Sequence, residues 1–138
     1  MTGWEQAFIT RHRVARLATV DARGQPHVVP IVYAFDSNAL YTPLDAKPKR
    51  VRVRQLQRVK NIQANPQVAV VIDDYKEDWT QLAWVQIRGT ARLVEDGAAH
   101  STGIALLTTK YPQYQTMLLG DTPLIVIVAE HVTSWRAV

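Results

Sequence analysis

Polar and apolar side chains alternate over several short segments in the first half of the chain, as they do in β-strands that bury one face. Gly24 can supply the positive φ that a hairpin turn requires, so the first two segments are predicted to pair. Proline removes a ladder donor from the second segment, which places an edge, a bulge or a ligand-facing gap at Pro30. The predicted strands are Val14–Val20, His27–Phe35 and Ala39–Thr42.

The second half of the chain continues the strand pattern and adds a helix. Its longest alternating segment, Leu82–Glu95, has Gly89 near its centre, which suits the sharp bend of a barrel strand. Further strands are predicted at Gln67–Asp73 and from Leu124 to about Trp135, and helices at Trp4–His12 and Gly97–Thr109. Five or six antiparallel strands with a few helices predict a mainly β fold, a closed or split barrel, with residues 1–138 as one domain.

Positive charge is concentrated between Lys47 and Lys60, where seven of the sixteen lysines and arginines lie. From Ala46 to Ile72 the chain has no Asp or Glu, so a helix here has no acidic partners for its own i,i+4 pairs. A helix that begins at Arg50 would separate an apolar sector from a basic arc. The apolar sector holds Val51, Leu56, Val59 and Ile62, and the basic arc holds Arg50, Arg54, Arg58 and Asn61.

Two interpretations of the basic segment remain open. It is either the solvated face of an amphipathic helix or a binding site for a phosphate group. Lys47 and Lys49 flank Pro48 in the loop before the predicted helix, where free backbone amides and the positive end of the helix dipole also attract anions. The phosphate site is the sharper hypothesis.

Composition narrows the class of protein. The chain has 138 residues, 47% hydrophobic and 20% charged, which is typical of a soluble globular domain. Its apolar runs are too short to span a membrane, and its N-terminus resembles no signal peptide, so a cytoplasmic protein is expected. The chain contains no cysteine, which removes thiolate catalysis and Cys-ligated zinc. The net charge of +4 fits an anionic small ligand as well as nucleic acid.

The sequence lacks the common catalytic motifs. Its six glycines form neither GxGxxG nor a Walker loop, and its four histidines stand singly without metal-ligand spacing. The acidic loop Asp73–Asp78 lacks the alternate spacing of a calcium loop, so no metal site is predicted. An enzyme with this sequence would need a cofactor that performs the chemistry.

The order of several motifs resembles a known family. They are RLATVDARGQPHVVP from Arg16 to Pro30, LYT from Leu40 to Thr42, KPK from Lys47 to Lys49, NIQANP from Asn61 to Pro66, and DDYKEDWTQLAWV from Asp73 to Val85. Together they resemble the pyridoxamine-phosphate-oxidase-like split β-barrel superfamily, and within it the branch of probable oxidoreductases that use coenzyme F420, a deazaflavin. The resemblance covers nearly the whole chain.

That resemblance implies a six-stranded antiparallel split barrel and a homodimer with two cofactor sites at the interface. The flavin or deazaflavin ring would lie along Pro30, Ile31 and Val32 and near Tyr41 and Thr42. The phosphate would meet the segment Lys47, Pro48, Lys49 and Arg50 together with Arg58, which stands where the wider superfamily often has a lysine. Trp79, Trp84 and Arg88 of the partner subunit would wall the pocket, although both tryptophans also suit simple packing.

The resemblance implies an F420-dependent reductase of a small conjugated or quinone-like substrate. The alternatives are an FMN-dependent oxidoreductase, including pyridoxamine phosphate oxidation, and a non-catalytic flavin or F420 carrier. Arg52 and Arg54 favour F420, because its tail is longer and anionic. A nucleic-acid-binding barrel is disfavoured, since no aromatic residue is interleaved with the cations from Lys47 to Lys60. No catalytic acid or base is assigned.

Overall fold

Seven strands form one antiparallel sheet in a computed structural model that describes residues 1–44 and 53–137, except for the side chain of Arg54. The sheet order is β2-β1-β5-β6-β7-β4-β3. The strands are β1 (Ala15–Val20), β2 (Pro26–Ile31), β3 (Ala34–Phe35), β4 (Ala39–Pro43), β5 (Gln67–Asp74), β6 (Ala83–Val94) and β7 (Leu124–Arg136). The predicted mainly β fold is confirmed, and the predicted bounds agree within about two residues for all strands but one.

That exception is the predicted strand His27–Phe35, which is divided into β2 and β3, so the sheet has seven strands rather than six. The two-residue stretch Val32–Tyr33 between them, called the β2–β3 link here, joins the two opposite edges of the sheet. So short a connection requires the sheet to curl until its edges meet, which gives a split barrel.

A tyrosine hydroxyl replaces the strand partner at the β2–β3 link. The backbone amide of Tyr33 donates to the hydroxyl oxygen of Tyr111 (3.0 Å), and that hydroxyl lies 2.8 Å from the carbonyl oxygens of Tyr33 and Arg13. The buried backbone of the link is therefore satisfied by a side chain, because no neighbouring strand supplies its ladder at this point.

Three helices and three 3₁₀ turns complete the described chain. The helices are α1 (Gly3–Arg11), α2 (Gln57–Ala64) and α3 (Gly97–Lys110), and the turns are Val53–Gln55, Trp79–Gln81 and Pro112–Gln115. A capping box of Thr2 and Glu5 starts α1, which confirms the predicted N-terminal helix. Within the residues described, none of these helices combines the length and the apolar character needed to cross a membrane.

The basic helix begins later than predicted. Residues 45–52 lie outside the described residues, and the next helical turn ends at Leu56, whose backbone is extended (ψ 137°), so that α2 starts at Gln57. The prediction of one helix from Arg50 with a continuous basic arc is therefore wrong. Asn61, assigned to that arc, is buried and donates to the hydroxyl of Thr19 (2.9 Å). The periodicity failed here because an amphipathic pattern does not reveal a break between two short helical pieces.

Two apolar clusters hold the fold together. The larger fills the inside of the barrel, where α1 contributes Phe8 and α2 contributes Ile62 to the strands' inward side chains. The smaller lies between α3 and the outer side of β4 and β7, and includes Leu107 and Val126. Between Arg88 and Gly89 the β6–β7 register shifts, so the glycine that was predicted to bend the strand lies at a bulge or irregularity of the pairing.

Lys110, at the end of α3, carries an unusual buried amine. Its Nζ is buried 4.0 Å from the ring centre of Tyr33 and, within the described residues, forms no hydrogen bond. Burial lowers the pKa of Lys110 to about 8, with a further contribution from the positive charge of Arg13. The charged form of Lys110 therefore lowers the stability of the folded protein.

Candidate functional site

The outer side of the sheet is covered by α3 only over β4, β3 and the adjoining ends of β6 and β7. Because α1 and α2 pack into the barrel interior, the remaining outer side is left uncovered within the described residues. We call this surface the open face. It includes Val28, Pro30, Arg16, Ala18, Ala69, Val71, Asp73, Trp84, Gln86, Arg88, His131, Thr133 and Trp135.

Strand register places the side chains of the open face in rows, because residues directly opposite one another share a face. One row runs from Pro30 through Arg16 and Val71 to Gln86. The row on one side of it contains Asp73, Trp84 and Trp135, so the two tryptophans are cross-strand neighbours. The row on the other side runs from Val28 through Ala18 and Ala69 to Arg88. Small alanines thus separate Val28 from Arg88.

A shallow pocket of about 570 Å³ opens on this face. Its lining is Arg16, Val71, Asp73, Trp84 and Gln86. Nη1 of Arg16 donates to Oδ1 of Asp73 at 2.6 Å, and both side chains are more than two-fifths exposed. The pocket therefore combines one aromatic ring, one aliphatic side chain, an ion pair and an amide.

Three of the predicted site residues lie on the open face. Pro30 lies on the edge strand β2 opposite Arg16, Trp84 borders the pocket, and Arg88 lies four residues after Trp84 on β6. Trp79 lies at the tip of the β5–β6 hairpin and is 67% exposed, in contact with the hydroxyl of Tyr75. The structure thus brings Pro30, Trp84 and Arg88 to one surface, with Trp79 at its margin.

Four other predicted residues have packed side chains. Ile31 points into the barrel core, and Val32 packs against the cluster beneath α3. Tyr41 and Thr42 are buried, and the hydroxyl of Tyr41 donates to Oδ2 of Asp36 at 2.7 Å. Burial, followed by that hydrogen bond, raises the pKa of Tyr41 to about 12. Because these four side chains are packed, a cofactor ring could contact the residues only through their backbone or edge atoms. Their role in cofactor binding stays a prediction.

The structure describes only one of the predicted phosphate-binding residues, Arg58. Lys47, Pro48, Lys49 and Arg50 lie outside the described residues. Arg58 is half-buried on α2, whose apolar side packs into the barrel. The phosphate site therefore remains a prediction from sequence. The sequence interpretation did not find Arg16, Gln86 or Asp73 as pocket residues, although the alternation in β1 and β6 marks the first two as outward-facing.

The described residues contain no group of three or more His, Asp or Glu side chains arranged to hold a metal ion. The open face offers an aromatic wall and two arginines, Arg16, which is paired with Asp73, and Arg88. A planar ring that carries an anionic tail fits that set of side chains, since aromatic faces stack on rings and guanidinium groups bind phosphate or carboxylate.

Known proteins share this fold and part of the sequence. A 5a,11a-dehydrotetracycline/5a,11a-dehydrooxytetracycline reductase of Streptomyces rimosus is 29% identical over 94 residues, which cover 67% of this chain and 63% of the relative. The chain thus matches less than two thirds of that reductase.

Solved structures extend the likeness to the whole fold. A conserved hypothetical protein of Mycobacterium tuberculosis superposes with a TM-score of 0.76 at 24% identity, covering 99% of this chain and 85% of that one. A heme storage protein of Vibrio cholerae gives 0.70 at 19% identity, covering 95% and 90%. At these identities the likeness establishes the fold, the split barrel. The sequence also matches the family described as pyridoxamine 5'-phosphate oxidase over residues 1–136. The chain therefore belongs to the pyridoxamine 5'-phosphate oxidase family.

Proposed function

We propose that this protein is an oxidoreductase that binds coenzyme F420 and uses it to reduce a small conjugated or quinone-like molecule. FMN is the alternative cofactor. The family includes oxidoreductases, and a distant relative is a reductase, which supports the reaction class. The observation that carries the proposal is the open face, where Trp84, Trp135 and Arg88 present a flat aromatic surface next to a cation.

F420 would supply hydride transfer, so the protein's own residues need only bind, orient and exclude water. Trp84 would stack on a planar group, and Arg88 would pair with an anionic one. The lysines of the KPK motif, with Arg58, would hold the phosphate. F420 is preferred to FMN because Arg52 and Arg54 offer additional cations for a longer anionic tail.

The proposal includes a homodimer. Val28, on the edge strand β2, and Trp135, near the end of β7, are 60% and 46% exposed, which is a high exposure for large apolar side chains on one surface. A second copy laid on this face would cover them and enclose a ring between two protein surfaces. Size-exclusion chromatography with light scattering tests this, and a monomer at micromolar concentration would refute it.

The experiment that tests the function is equilibrium binding to F420 and FMN at physiological salt, followed by fluorescence. Hemin is included as a third ligand because one structural neighbour is a heme storage protein. F420 binding at micromolar affinity or tighter, with weak FMN binding, is the expected result, and reduced F420 would then be supplied to a panel of quinones. A preference for FMN would identify the alternative cofactor, and a preference for hemin would refute both.

A matched pair of variants tests the phosphate ligands. Lys47→Ala with Lys49→Ala should weaken F420 binding at least tenfold, because a phosphate loses two charged donors. Lys76→Ala is the control, since it removes an exposed lysine from the β5–β6 hairpin. Equal affinities for the double variant and the control would remove the assignment of the KPK motif.

A further inference from the structure

The pocket on the open face has a specific pattern of hydrogen-bonding groups. Nη1 of Arg16 is used by Asp73, which fixes the guanidinium group beside the carboxylate. Within residues 1–44 and 53–137, the remaining Arg16 donors and Oδ2 of Asp73 form no other hydrogen bond, and the Gln86 amide forms none. A donor and an acceptor therefore stand next to each other at the pocket wall, ready for a ligand.

The rest of the pocket is suited to a flat molecule. Trp84, half-buried, supplies an aromatic wall, and Val71 supplies an apolar floor between Arg16 and Gln86. Aromatic groups prefer offset stacking with another ring system, so a planar conjugated ligand gains most from this environment. An isolated anion would gain less, because the carboxylate of Asp73 lies beside the arginine and repels it.

We infer that this pocket binds the substrate, and that the substrate class is a planar conjugated ketone with a hydrogen-bond donor adjacent to its carbonyl group. The carbonyl oxygen accepts from Arg16, the neighbouring donor bonds to Asp73, and the ring stacks on Trp84. The inference rests on the proposed function, because it takes the ligand to be the molecule that the reductase reduces.

The position of the pocket agrees with this role. Arg16 is directly opposite Pro30, so the pocket begins one strand spacing, about 4.8 Å, from the strand predicted to lie against the cofactor ring. Trp84 and Gln86 mark its far side on β6, two strands further across the sheet. A ligand in the pocket would thus be a neighbour of that ring rather than a competitor for its place.

Three naphthoquinones that differ at one position test the pattern. 2-Amino-1,4-naphthoquinone has a donor beside its carbonyl, 2-methyl-1,4-naphthoquinone has none, and 2-hydroxy-1,4-naphthoquinone is an anion at neutral pH. Calorimetric titration of the purified full-length protein should give a dissociation constant for the amino compound about tenfold lower than for the methyl compound, since one hydrogen bond to a charged group is gained. The hydroxy compound should bind most weakly.

Variants separate the two polar groups. Arg16→Met keeps the side-chain length but removes the donors to the carbonyl oxygen. It should weaken the amino and methyl compounds by a similar factor and leave the difference between them, because Asp73 still accepts from the amino group. Asp73→Asn replaces an acceptor by an amide that can also donate, and should reverse the order, so that the hydroxy compound binds more tightly than the amino compound. Arg23→Met, in the exposed β1–β2 turn, is the control and should leave the order unchanged.

The outcomes distinguish the two proposals. Equal affinity of the wild type for all three naphthoquinones, or an unchanged order in Asp73→Asn, overturns the inference about the substrate, whatever the cofactor. F420 affinity is measured separately on the same variants. If F420 fails to bind while the order among the naphthoquinones is as expected, the proposed cofactor is wrong and the pocket's selectivity stands.

Discussion

Replacing Lys110 with methionine should stabilise the protein at neutral pH. The ammonium group of this lysine is enclosed by the Tyr33 and Tyr111 rings, and within the described residues no acceptor satisfies its protons. Methionine has a similar length and no charge, so it can fill the same space without the desolvation cost. The Arg13 guanidinium would retain its hydrogen bond to the carbonyl oxygen of residue 110.

The magnitude follows from the pKa of Lys110, which burial lowers from 10.5 to about 8. A shift of that size corresponds to about 3 kcal/mol at full effect, because one pKa unit is worth about 1.4 kcal/mol. The side chain is only partly buried and its cation–π contacts with tyrosine are favourable, so the net gain in the variant is about 1 kcal/mol.

The lowered pKa of Lys110 also determines the direction in which the stability of the protein changes with pH. Between about pH 8 and 10.5 the unfolded chain keeps the Lys110 proton and the folded chain releases it, so the wild type gains stability as the pH rises through this window. Below pH 8 the cost of the buried charge is present in full. The advantage of the methionine variant should therefore be largest at pH 7 and decrease towards pH 10.

Urea denaturation at pH 7 and at pH 9.5 measures the effect. The free energy of unfolding of Lys110→Met should exceed that of the wild type at pH 7 and approach it at pH 9.5. Lys76→Met, at an exposed position, serves as the control for the loss of one positive charge. The reasoning is refuted if the variant is less stable at pH 7, or if its advantage does not change with pH.

Three further substitutions test the packing, each by urea denaturation. Tyr111→Phe leaves the amide of the β2–β3 link without its acceptor and should cost about 1–3 kcal/mol. Gly103→Ala places a methyl group 2.5 Å from a leucine side chain beneath α3 and should cost about 1–3 kcal/mol. Gly89→Ala drives its methyl group into the carbonyl oxygen of Val128, so the β6–β7 bulge must move and a loss of about 3 kcal/mol or more is expected. Gly3→Ala, with no atom within 4 Å, should not destabilise.

The strands were predictable from sequence because their signals are local. Alternation and turn residues define β1 and β6, and Gly89 marks the register shift, since only a glycine avoids collision with the neighbouring strand there. The division of the predicted strand His27–Phe35 was not predictable in the same way. It depends on a hydroxyl group that reaches the link from Tyr111, 78 residues later in the chain.

The candidate site shows the same division between local and long-range information. Family motifs pointed to Pro30, Trp84 and Arg88, which the sheet brings to one face. Arg16 and Asp73 belong to the same surface, yet each is an ordinary charged residue in its own segment. Only the antiparallel pairing of β1 with β5 brings them within 2.6 Å, and that pairing joins segments more than fifty residues apart.

The placement of the tryptophans makes the open face observable without any label. Of the four tryptophans, Trp84 and Trp135 are neighbours on this face and Trp79 lies at its margin, whereas Trp4 packs against the barrel core and the Arg136 guanidinium. Indole emission depends on contact with water, so most of the protein's ultraviolet fluorescence should originate where a cofactor, a substrate or a second copy would bind. Binding of a cofactor, a substrate or a second copy should then shift the tryptophan emission, in the native protein and in every variant that keeps its tryptophans.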